Sequence, residues 1–161
     1  MNAAQSETAT QLDVAAMRHD ASKMLDENAP LIRYEDLKAA ERRYRENLTW
    51  LLREVDAAIA GRPEDDVQAK VAMAGMSEAL RRLDEIEAAG LAGEVRRVRR
   101  LARSVVSLCD HYGTLTGLRM CVVCDKPVTV GRKSAPYDVV RVSSGGPTSE
   151  AHSPCMPPPR D

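Results

Sequence analysis

From Val95 to Tyr112, apolar residues recur every three or four positions: Val95, Val98, Leu101, Ala102, Val105, Leu108, Cys109 and Tyr112. That spacing follows the turn of an α-helix, about 3.6 residues, and lays one apolar stripe along one face. A stripe so regular needs surfaces to pack against, and three more segments offer them. Thr10 followed by Asp13 resembles a capping box with Asp in the Glu position. It opens a helix running to about Asp26, with Val14, Met17, Ala21, Met24 and Leu25 on one face; Asn28-Ala-Pro30 stops it. A second helix from about Tyr34 to Ala60 carries Leu37, Tyr44, Leu48, Leu51, Leu52, Val55 and Ile59, and Gly61 is placed to end it. A third enters through Pro63, with Glu64, Asp65 and Asp66 suited to the positive end of the helix dipole. Its expected face is Ala69, Met73, Met76, Leu80, Leu83 and Ile86, closed by Gly90. The fourth helix, from about Leu91, is expected to stop at Gly113.

The chain has no Phe, one Trp and four Tyr in 161 residues. Its core must therefore come from Leu, Val, Ala and Met, which suits helices meeting helices better than a large β-sandwich. The expected fold is mainly α: an antiparallel four-helix bundle over 11–115, preceded by a disordered stretch 1–10. Beyond Gly117 the pattern changes. Val128 and Val130, then Val140 and Val142, alternate as half-buried strands do, and Gly131–Pro136 supplies turn residues. A small β-hairpin module over 116–157 is expected, with 158–161 as a tail.

That module contains two ligand pairs. Cys121-Val-Val-Cys124 presents two thiols on a tight loop, and after twenty-seven intervening residues His152-Ser-Pro-Cys155 presents an imidazole and a thiol. Each pair closes half a tetrahedron, and a hairpin between them brings the halves together, as in a zinc ribbon. A module this short cannot hold itself together by burial alone. Metal binding, about 10–16 kcal/mol in zinc-finger peptides, would supply the difference. The expectation is one structural Zn2+ per chain on Cys121, Cys124, His152 and Cys155. Four protein ligands leave no open position for a catalytic water, which argues against a zinc hydrolase. The nucleobase-deaminase order, H-x-E before P-C-x-x-C, is absent. Cys109 sits on the apolar face of the fourth helix and reads as a core thiol; His111, on another side, is an alternative fourth ligand.

Arg outnumbers Lys eighteen to five, and the formal net charge is −1. No global field favours nucleic acid. Arg96, Arg99, Arg100 and Arg103 nevertheless share an arc opposite the apolar stripe, with Arg97 to one side. They form either a ridge that tracks phosphates or a solvated face paired with Glu94 and neighbouring acids. Trp50 points away from its own stripe, so either another segment covers it or it marks a partner surface. Met17, Met24, Met73 and Met76 read as core. No glycine-rich phosphate loop, Ser/His/Asp order or carboxylate pair marks a catalytic centre. No apolar run is long enough to span a membrane, and the first residues lack the features of a secretory signal. A cytoplasmic setting, with reduced thiols, is expected.

Leu101-Ala-Arg-Ser-Val-Val-Ser-Leu-Cys-Asp-His-Tyr112, with Leu12-Asp-Val-Ala-Ala-Met-Arg18, resembles a family of uncharacterised actinobacterial proteins. That family, of the domain-of-unknown-function class, is loosely labelled natural product biosynthesis protein. The resemblance covers roughly residues 10–115. It implies an all-helical domain and an actinobacterial source, and carries over no catalytic residue. Cys121-Val-Val-Cys-Asp-Lys-Pro-Val128 separately resembles the first knuckle of small zinc-ribbon-like proteins. The expected function is a non-catalytic interaction or regulatory protein that docks a protein partner or self-associates. A nucleic-acid-binding regulator and an accessory enzyme of small-molecule metabolism are the alternatives.

Overall fold

The computed structural model describes residues 3–28, 32–119, 121, 128, 134–136, 150–152 and 155, with the backbone alone for 3–12, 134–136 and 150–152. Four helices make up most of it: α1 (Ala3–Leu25), α2 (Tyr34–Ile59), α3 (Val67–Leu83) and α4 (Gly90–Thr116). The fold is thus mainly helical. α4 packs against each of the other three, and α2 also meets α3. The core is aliphatic, as the composition demands. Val14 and Ala21 of α1, Leu37, Leu48 and Leu51 of α2, and Val98, Leu101, Val105 and Leu108 of α4 are all shut away from solvent. Tyr44 is buried with them, and its hydroxyl donates to Asp20 O of α1 at 3.3 Å. Cys109 is a core thiol: its Sγ lies 3.7 Å from Val14 O, and burial, then the neighbouring Asp110, pushes its pKa up to about 12.

Several boundaries differ from the sequence reading. α1 begins at Ala3, so helix replaces the expected disordered stretch from that residue on. Glu64 and Asp65 precede α3 rather than fill its first turn, because Asp66 is the cap. Its side chain accepts from Ala69 N at 2.9 Å; that bond, then the one from Arg62, holds the carboxyl below its ordinary range. α3 ends at Leu83, leaving Ile86 87% exposed. α4 does not stop at Gly113 but runs to Thr116 and is capped by Gly117, whose φ of 75° suits a residue without a side chain. Gly113 meets a different demand: a Cβ there would lie 2.9 Å from Leu118 O.

The buried face of α3 is also rotated from expectation. Ala69, Ala72 and Ala79 are buried, whereas Met73 and Leu80 are 53% and 51% exposed. Small residues win because α3 lies close to α4 at this seam. A Cβ on Gly75 would fall 2.7 Å from His111 Nε2, so bulkier side chains turn outward.

Arginines tie helix ends to their neighbours. Arg45 donates to Leu83 O at 2.9 Å, on the last turn of α3. Arg62 donates to Leu115 O at 2.7 Å near the end of α4 and, through its other Nη, to Asp66 at 2.8 Å. Such carbonyls lack helical partners and carry the negative end of the dipole.

Beyond α4, β1 (Ser134–Pro136) and β2 (Glu150–His152) pair antiparallel, with Ser134 opposite His152. Part of the expected turn Gly131–Pro136 is therefore strand. Val130, Val140 and Val142 of the expected hairpin lie outside the described residues.

The exchange of large for small residues at the seam can be measured. Ala72→Leu is expected to lower stability by about 1–3 kcal/mol through overpacking. Met73→Ala should change it by no more than about 0.5 kcal/mol. Denaturant unfolding of both variants decides; comparable losses would return Met73 to the core.

Candidate functional site

Just past α4 the chain folds back on itself. Val128 N donates to Arg119 O at 2.7 Å. Cys121 is fully buried, Cys155 is half-buried, and the backbone of His152 ends β2. Cys124 and the His152 imidazole lie outside the described residues. Among the described residues, no group of three His, Cys, Asp or Glu side chains is arranged to hold a metal. His111 sits in the α3–α4 seam, its Nε2 3.3 Å from Ser107 Oγ and against Gly75.

Within the helices the most buried charges are not those the Arg pattern suggested. Arg97 is only 1% exposed, and so is Glu94. Arg97 donates from Nε to Glu94 at 2.9 Å and from Nη2 to both Glu94 and Glu41. Lys38 adds a contact to Glu41, Arg45 another at 3.3 Å, and Ala88 N donates to Glu94 at 3.0 Å. Hydrogen bonding from Arg97 outweighs desolvation and lowers the Glu94 pKa to about 2. Burial alone would raise Glu41, but bonds from Lys38 and Arg97 reverse it, and the net direction is down. Bonds to the same carboxylates raise Arg97. Glu94 is therefore not a partner for a solvated ridge; it is an interior counter-ion.

The four ridge arginines have different surroundings. Arg96 and Arg103 are exposed. Arg100 grips Glu85 through Nε at 3.0 Å and Nη2 at 2.6 Å. Arg99 turns into a cleft between α1, α2 and α4. Trp50 is half-buried against Tyr112 of α4, ring centroids 6.2 Å apart and tilted by 53°. Tyr112 of α4 thus covers part of it.

That cleft gathers residues the sequence reading never joined: Lys23, Arg33 and Arg43 with Arg99, over Met24, Ile32 and Tyr44. They come from three helices and the α1–α2 connection, so no local motif could have found them. The buried carboxylates did leave a signal. Glu41 falls one turn after Leu37, and Glu94 one turn before Val98, each in line with its apolar stripe.

Fold and site together define a mainly helical protein with an ionic cluster in its core and a cation-lined cleft on one side. A model for a family of unknown function, DUF6415, matches residues 15–117, and the chain belongs to that family. No curated protein and no solved structure matches it. Among the described residues, no helix is long and apolar enough to cross a membrane.

The ionic cluster sets an acid response. Because the folded pKa of Glu94, about 2, lies below its ordinary 4.5, its contribution is complete above that ordinary value and drains away as pH falls toward 2. Glu94→Gln should cost about 3–5 kcal/mol near neutrality by stranding Arg97. It should also flatten the acid limb of a plot of stability against pH. An acid limb as steep as that of the parent would show that other carboxylates produce it.

Proposed function

We propose that the chain is a non-catalytic interaction or regulatory protein, its helices serving as a platform for a C-terminal module stapled by one structural Zn2+. Cys121, Cys124, His152 and Cys155 are the proposed ligands. The observation that carries this reading is the hydrogen bond between Arg119 and Val128, with Cys121 fully buried. Val128 N donates to Arg119 O, so the two residues on either side of Cys121-Val-Val-Cys124 in sequence meet. Thiols held on a tight loop suit a tetrahedral ion, and four protein ligands complete its coordination. The ion would then serve folding, and function would fall to surfaces. A protein partner or a second copy of the chain is the proposed occupant of those surfaces. A role beside actinobacterial secondary metabolism rests on the family resemblance alone.

Nucleic-acid binding through Arg96, Arg99, Arg100 and Arg103 is less favoured. Arg100 is held by Glu85, and Arg99 lines the cleft. Only the other two stand exposed on that arc.

Elemental analysis of protein purified without chelator should find about one zinc per chain. A Cys121→Ser/Cys124→Ser variant should lose it while keeping its helical circular dichroism. Metal-free native protein would overturn the zinc assignment. Duplex binding that weakens steeply with salt, and is relieved by Ala at the four arginines, would favour the nucleic-acid reading instead.

A further inference from the structure

Between the end of α1, the first half of α2 and the first half of α4 lies a cleft of about 490 Å³, a volume in the range of small-molecule sites. Its walls divide by chemistry. Met24, Ile32, Tyr44 and Val95 give it an apolar floor, and each belongs to the core or packs on it. Such a floor is held in place before any ligand arrives. Above it stand Lys23, Arg33, Arg43 and Arg99, four cations against the two carboxylates of Asp20 and Asp36. Asp20 is engaged already, since Arg43 Nη2 holds it at 3.2 Å. The cationic excess falls to Lys23, Arg33 and Arg99.

Arg99 decides the matter. Its Nε is closed off from solvent and has no acceptor among the described residues. Buried donors almost always find a partner, and the described residues offer this one none. The neighbouring helix end has the same polarity. α2 begins after Arg33 with no side-chain cap on its first N–H groups, so its positive end opens beside the cleft.

We infer that this cleft binds a small amphipathic carboxylate. The carboxylate meets Arg99, whose planar fork matches its two oxygens. Lys23 and Arg33 line the mouth, and the apolar body lies over Met24, Ile32 and Tyr44. The site is built from α1, α2, α4 and the α1–α2 connection, so it goes beyond the proposed zinc module and stands or falls separately.

Titration calorimetry on the full chain tests it, with decanoate below its micellar concentration as the probe. Decanol carries the apolar body without the charge, and inorganic phosphate carries the charge without the body. Decanoate should bind, and both controls should bind at least about tenfold more weakly. Arg99→Gln should weaken decanoate by about tenfold or more without shifting thermal unfolding. Ala39→Phe, which fills the cleft from α2, should abolish binding even if the Arg99 variant folds poorly. Arg81→Gln, an exposed arginine of α3 away from the cleft, should bind as the parent does. Absence of decanoate binding overturns the inference, as does binding indifferent to both Arg99→Gln and Ala39→Phe. Phosphate binding as tight as decanoate would overturn the assigned ligand class.

Discussion

A guanidinium in an aliphatic interior has to be answered by carboxylates, and the arrangement of α4 against α2 follows from that demand. Leucine and valine stripes can slide past one another by a turn and still bury much the same area. Arg97 cannot slide: it must reach Glu94 on its own helix and Glu41 on α2 together. Buried ion pairs add little net stability over apolar packing, but breaking one is costly. Their effect here is to exclude wrong registers. In a core with no Phe and few other aromatic shapes to interlock, that selection matters more than usual. Once α4 is placed, α1 and α3 have their packing surface, and the cleft acquires its third wall.

The periodicity of α2 and α4 could be read directly from the sequence because their stripes are wide and their large residues point inward. α3 could not be read the same way. Its expected face was chosen by side-chain size, giving Met73 and Leu80, whereas the structure selects Ala72 and Ala79 for closeness. A stripe of small residues is weak as a hydrophobic signal and strong as a packing one. The end of α4 shows a similar ambiguity between glycines. Gly113 and Gly117 look alike in sequence, yet only Gly117 takes the left-handed conformation that ends a helix. Arg97 was hidden among similar neighbours, although the two glutamates in line with the apolar stripes called for a buried cation.

For function, the residues divide by how local their signal is. The proposed zinc ligands announce themselves through spacing, because each pair would close part of one coordination sphere. The cleft announces nothing, since its charged rim is assembled from α1, α2, α4 and the α1–α2 connection. Arg99 illustrates the difference. In sequence it is one member of a basic arc; in the fold it leaves that arc, while Arg100 takes Glu85 as its partner.

Arg62 links its own turn to two other places, one four residues on and one at the far end of α4. It holds the turn after α2 to the cap of α3 and to the final turn of α4. The C-terminal segment therefore departs from a braced joint and not from a fraying helix end. A pull or twist applied near Cys121 would reach the α2–α3 corner as directly as it reaches α4. Any partner that grips that segment would hold the body of the protein by two struts.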